Sequence, residues 1–173
     1  MSFSIAIQTD DFDVGAEYAR LIEHDKRAGA VVFFVGRVRE MNQSRVVSGL
    51  SLEHYPGMTE RVLEQIMESA RARWDLISAR IVHRVGALHL SDQIVFVGVT
   101  SQHREHAFQA AEFLMDFLKT QAPFWKKQHH LYPQQHQQQS QWLQSKDSDL
   151  AAARRWYSPE QLPLLLKVTD ARP

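Results

Sequence analysis

The sequence predicts an α+β fold, and three observations carry that expectation. Short β-branched runs are mixed with longer stretches of helical periodicity, without the strict alternation of a doubly wound sheet. Two strand patterns, Ala79 to Val85 and Gln93 to Thr100, follow one another with only Gly86 and Ser91-Asp92 as punctuation. The chain of 173 residues is 44% apolar and 23% charged, enough for one domain with a real core. No internal repeat is present.

Composition also excludes function classes. Lys+Arg and Asp+Glu number 20 each, so no global basic field points to nucleic acid. Cysteine is absent, which removes disulfides, thiolate metal sites and any cysteine nucleophile or persulfide in this chain. The first residues lack the basic start and apolar core of a signal peptide. The longest apolar run, Ala30 to Val35, is far below the roughly 20 residues of a membrane span. A cytoplasmic protein is expected.

Taken in order, Ser2 to Gln8 alternates as an edge strand, and Asp11-Phe12-Asp13 offers caps for a helix from Val14 to Glu23. Ala30 to Val38 is so apolar and β-branched that it reads as a central strand. Arg37 and Arg39 follow at strand spacing and share a face. Glu40 to Ser48 reads as a polar loop, and Leu50 to Tyr55 as a strand closed by Pro56-Gly57. Thr59 is the expected N-cap of a helix of about four turns reaching Trp74. Ser101 is the expected N-cap of a long helix from Gln102 to Ala122. Gln134 to Gln141 is nearly all Gln and His, a composition typical of solvated loops, and Asp147 to Trp156 reads as helical. The expected organisation is one domain over residues 1–157, with a Gln/His-rich loop at about 132–141, and a tail over 158–173.

The chemistry centres on Phe113 to Lys127. Phe108, Ala111, Met115 and Lys119 recur at helical spacing and share one face, so Lys119 stands where a core residue is expected. Pro123 forces the helix to stop, since its ring would clash with the carbonyl of Lys119. Phe124-Trp125-Lys126 then turns back, allowing Lys119 and Lys126 to converge beside aromatic rings. Two readings of Lys119 stand side by side. It is either an ordinary cation complementing a helix C-terminus, or a partly desolvated amine with a chemical task.

His103-Arg104 lies in the first turn of the long helix, where basic residues oppose the dipole and a bound anion would resolve the conflict. Arg39 is a second candidate anion contact. His129, His130 and His136 are irregularly spaced among glutamines, without thiols or carboxylates, and suit a polar loop better than a metal site. His54 and His83 fall within strand patterns, as core or edge histidines. No Walker loop, Rossmann glycine pattern or nucleophile elbow occurs.

Four ordered segments resemble one family. They are Leu52-Glu-His-Tyr-Pro-Gly-Met58; Val82-His-Arg-Val-Gly86; Val95-Phe-Val-Gly-Val-Thr-Ser101 with His103-Arg104; and Met115-Asp-Phe-Leu-Lys-Thr-Gln-Ala-Pro-Phe-Trp-Lys126. Together they resemble the large, catalytic subunit of molybdopterin synthase, over about Phe12 to Trp156. The resemblance implies an α/β hammerhead-type fold with an additional small antiparallel sheet. It implies a homodimer within a heterotetramer, each end binding a small ubiquitin-like sulfur carrier whose C-terminal Gly-Gly thiocarboxylate enters a pocket. It further implies that two sulfurs pass to cyclic pyranopterin monophosphate to make the dithiolene of molybdopterin, with no cofactor, nucleic acid or membrane involved. Lys119 and Lys126 match the family's two important lysines. Arg39, His103 and Arg104 match its anion-binding residues, the last two supplied across the dimer, and Phe34 and Met115 match pocket-lining positions. Gln128 stands where the family often has an acid, and Lys146 where it has an arginine. The reading from another class is a non-catalytic anion-, nucleotide- or RNA-binding module built on the same cations.

Overall fold

A computed structural model describes residues 2–23, 25–40, 46–132, 137–143 and 147–157. It contains eight strands and four helices among those residues: β1 (Phe3–Gln8), α1 (Val14–Ile22), β2 (Ala30–Arg37), β3 (Val46–His54), α2 (Met58–Arg73), β4 (Leu76–Arg84), β5 (Gly86–His89), β6 (Gln93–Ser101), α3 (Arg104–Thr120), β7 (Phe124–Tyr132), β8 (Gln137–Leu143) and α4 (Asp147–Arg154). The strands form two four-stranded sheets, ordered β1-β4-β6-β2 and β5-β3-β7-β8. The first is antiparallel apart from the parallel β1–β4 pair, and the second is antiparallel throughout. The α+β expectation and the additional antiparallel sheet are both met.

Strand alternation divides the first sheet between two helical layers. Ala79, Ile81, Val95, Val97 and Val99 face α2 and α3, whereas Val82 and Phe96 face α1 with Phe12 and Leu21. The main core is closed by Leu63, Ile66, Met67 and Ala70 of α2 and by Ala107, Ala110, Phe113, Leu114 and Phe117 of α3. Phe113 packs against Trp74, Phe117 and Trp156. Burial of each such ring contributes about 2–3 kcal/mol. A smaller cluster of Val38, Leu50, Leu52 and Leu88 joins the two sheets.

Several local expectations change in the tertiary structure. The apolar run Ala30–Arg37 lies at the edge of its sheet, not the centre. Val31 and Val35 pack toward the α1 cluster and Ala30 and Val32 toward the main core, while Phe33 and Phe34 remain 44% exposed. The run's composition therefore reports what lies on its faces and not its strand neighbours. Thr59 does not cap α2. Gly57 is the cap residue, with φ of +81°, and Glu60 accepts from its N–H at 2.6 Å. Thr59 is buried in the first turn, where Oγ1 accepts from Tyr55 N and donates to Pro123 O. Ser101 ends β6 and donates to Asp75 O, so His103 becomes the cap of α3 without a side-chain capping bond.

The Gln-rich run also differs from expectation. Residues 137–143 form β8, paired along β7 from Lys126↔Leu143 to Tyr132↔Gln137. Backbone pairing supplies what the polar side chains do not. The remainder of the expected loop, 133–136, lies outside the described residues, as do the tail over 158–173 and Lys146. Strand β3 starts at Val46, inside the expected polar loop, and β5 is a short strand not anticipated from Gly86 to His89.

Candidate active site

Alpha helix α3 ends at Thr120, as Pro123 requires, and the chain reverses into β7. Register then decides which lysine turns inward. Lys126 pairs with Leu52 and Gln128 with Leu50, on the face of the Leu50–Leu52 cluster, while Lys127 lies opposite and its Nζ sits 5.5 Å from the Trp142 ring. The turn at Pro123 thus brings the inward lysine of β7 beside the last helical turn of α3.

Between them lies a cleft of about 620 Å³ at the meeting point of both sheets, α3 and α4. Its walls include Phe34, Arg37 and Arg39 from β2 and its exit, Met115 and Lys119 from α3, and Lys126 and Gln128 from β7. Five of the seven residues expected to serve the site, Lys119, Lys126, Arg39, Phe34 and Met115, therefore share one cavity. Phe108, on the same face of α3, lies beyond it and is 62% exposed. The side chain of Lys119 is 43% exposed, and its Nζ lies 3.3 Å from Asp149 Oδ1. Arg37 donates from Nε to Ser91 O at 2.9 Å, an anchor that fixes one cation at the rim.

The cleft also contains residues that sequence reasoning missed. His83, expected only as a core or edge histidine, is 1% exposed and lines the cavity. Its ring stacks on Phe124, with centroids 3.7 Å apart and planes 12° from parallel. Nδ1 lies 2.8 Å from Arg84 O, and a carbonyl only accepts, so Nδ1 carries the proton and donates. Burial pushes the imidazole from 6.5 down to about 3, the bond to Arg84 O opposes this, and the Lys126 and His54 charges add to the lowering. His83 is a neutral ring in a cationic cavity. Gln128 is buried in the wall and places a neutral amide there. Asp149 comes from α4, a helix separated from α3 by 26 residues, and no local spacing announces it.

His103 and Arg104 do not join this cleft. Both are exposed at the opposite end of α3, about 22 Å from Lys119 at 1.5 Å per residue. His103 N–H approaches Ser101 Oγ at 3.4 Å, and Nδ1 of neighbouring His106 is buried without a hydrogen-bond partner. The histidines of the β7 region gather no metal site: among the described residues no group of three or more His, Asp or Glu is placed to hold an ion. His129 Nε2 instead lies 2.7 Å from Ser51 Oγ. A separate hollow of about 410 Å³, lined by Ser4, Arg20 and Arg80 near α1, holds none of the expected site residues.

The fold and cleft define a two-sheet α+β protein that gathers cations and aromatic rings around a cavity sized for an anionic small molecule. Residues 7–121 match the family model described as "MoaE protein", and the chain belongs to that family. A Vibrio cholerae protein named molybdopterin synthase catalytic subunit is 50% identical over 156 residues, covering 90% of this chain and 99% of its own. The solved molybdopterin biosynthesis MoaE protein from Burkholderia ambifaria is 46% identical, with a TM-score of 0.74, covering 90% of this chain and 98% of its own. A molybdopterin synthase crystal structure from Staphylococcus aureus is 32% identical, with a TM-score of 0.69, over 80% of this chain and 95% of that one. These matches favour the enzyme over the nucleotide- or RNA-binding alternative.

Proposed function

We infer that this chain is the catalytic subunit of a molybdopterin synthase, a sulfurtransferase. It moves sulfur from a thiocarboxylated small carrier protein to cyclic pyranopterin monophosphate. The observation that carries the site assignment is the convergence of Lys119, Lys126, Arg39, Phe34 and Met115, from three separate elements, on one cleft. Attack of a thiocarboxylate on the pterin side chain develops and then expels oxygen-centred charge. A positioned ammonium stabilises that charge or donates a proton, the role given first to Lys119. Lys126 supports it electrostatically and holds the carrier's Gly-Gly tail, while Arg39 contacts substrate anion.

The working unit is a homodimer carrying one small subunit at each end. Its basis is the outer edge of β2, where Phe33 and Phe34 are each 44% exposed. An apolar edge of this length, unpaired among the described residues, is a template for a second strand. Antiparallel pairing of two β2 edges about a two-fold axis would set the Ala30 end of one copy against the Arg37 end of the other. Ala30 pairs with Ser101, and His103-Arg104 follow directly, so the second copy's basic pair would approach the first copy's cleft. Residues 1–157 act as one domain. No helix among the described residues is long and apolar enough to cross a membrane, and the proposed setting is the cytoplasm.

Without cysteine, this chain has no sulfur of its own to transfer. The deciding experiment titrates thiocarboxylated carrier against a fixed amount of pterin substrate and counts product by mass spectrometry. Each product should consume two carriers, and the chain alone should bind substrate without converting it. Efficient turnover on free sulfide without carrier, or an endpoint at one carrier per product, would overturn the reading.

A further inference from the structure

Among the described residues that line the cleft, Arg37, Arg39, Lys119 and Lys126 are cations and Asp149 is the only acid. A cavity built to receive an anion has a reason to exclude carboxylates. One that persists, 3.3 Å from the ammonium of Lys119, calls for a reason of its own. Lysine is a compact charge on a flexible four-carbon stem. The like charges of Arg37, Arg39 and Lys126 drive such a stem outward to water, and the carbonyls ending α3 draw it back along the helix. Neither influence sets it at one point over the cavity.

Asp149 supplies that point because α4 is fixed to the same helix. Arg155 Nη2 reaches Asp116 Oδ2 at 2.7 Å and Glu112 Oε1 at 2.6 Å, and Trp156 Nε1 donates to Asp116 Oδ2 at 2.7 Å. Asp116 lies one turn before Lys119 on α3. One end of the α4 segment is therefore clamped to α3, and its first turn presents Asp149, 24% exposed, to the Lys119 tip. We propose that Asp149 is a positioning residue for the reaction, holding the Lys119 ammonium at the cleft wall where the reacting group arrives. This rests on the reading of Lys119 as the acting ammonium.

The test is steady-state kinetics of the assembled enzyme with thiocarboxylated carrier and pterin phosphate. Asp149→Asn keeps the size and removes the charge. It should lower kcat on the order of ten- to a hundredfold, the scale of a misplaced catalytic group. KM for the pterin phosphate should stay level or fall, because a negative charge has left the cavity. The thermal midpoint should move by no more than about 2 °C, since a part-exposed ion pair contributes little to stability. Asp149→Glu should recover part of kcat, and Asp149→Asn should cost nothing further in a Lys119→Ala background. Parental kcat with improved KM would show a carboxylate that merely competes with substrate, and would overturn the proposal. So would a kcat loss matched by a large fall in the thermal midpoint, which marks a scaffold. If Lys119→Ala itself stays active, the Lys119 reading fails first. If that variant is dead and Asp149→Asn is fully active, only the positioning role falls.

Discussion

The two ends of α3 carry the same kind of residue under opposite conditions. At its C-terminal end Lys119 is drawn into a cavity, flanked by Met115 and paired with Asp149, with Lys126 brought across by the turn at Pro123. At its N-terminal end His103 and Arg104 stand exposed among the described residues. Helix geometry explains the C-terminal end completely. It leaves the N-terminal pair outside the cleft, because about 22 Å separates Arg104 from Lys119 on a rigid rod. A cation cluster is thus a site only where another element closes over it. The C-terminal end is closed within one chain, and under the proposed homodimer a second copy would close the N-terminal end.

The sharpest way to break this contrast is to remove the charge at the closed end. Lys119→Ala should leave fold and dimer intact and reduce turnover on the order of 10²–10³-fold, the cost of losing one preorganised charge. Lys119→Arg should fail as well, since a planar fork does not replace a point ammonium. Near-parental turnover in single-turnover assays of either variant would remove Lys119 from the chemistry.

The open end is tested by complementation. Mixing inactive Lys119→Ala and Arg104→Ala subunits should restore about a quarter of parental activity, because half the dimers are mixed and each holds one intact site. Verified mixed dimers that stay dead would show that Arg104 does not complete the partner's cleft.

A third test concerns the floor of the closed end, and it is read in stability and not in turnover. His83 titrates at about 3 when folded and near 6.5 when unfolded, so between those values the unfolded chain binds the extra proton. Its neutral-ring stability is complete above about 6.5 and is lost as pH falls toward 3, by up to about 1.4 kcal/mol per pH unit. His83→Gln keeps a donor for Arg84 O and removes the titration. Denaturant melts from pH 7 to pH 4 should show a shallower loss for the variant than for the parent. Parallel slopes would mean that the buried ring is not what acid attacks.

Much of this molecule was legible along the chain. Periodicity marked α1, α2, α3 and most strands, Pro123 fixed where α3 must end, and the ordered segments from Leu52 to Lys126 pointed to the family. Lys119 and Lys126 were readable as a pair, because the helix stop and the strand that follows are both local facts. Other features depended on partners distant in the sequence. Ala30–Arg37 has the composition of an interior strand but lies at an edge, since composition records what covers a strand's faces and not what pairs with its backbone. The glutamines of β8 carry no apolar signal, and their order comes from hydrogen bonds to β7. Thr59 and Ser101 look like helix caps from their neighbours, yet their hydroxyls are claimed by Pro123 O and Asp75 O. His83 and Asp149 enter the cleft through sheet pairing and the docking of α4. Sequence by itself determined most of the helices and strands and singled out Lys119 and Lys126 as a pair. Only the tertiary structure decided which residues those lysines meet, because a local pattern fixes the direction of a side chain and long-range packing supplies what lies in that direction.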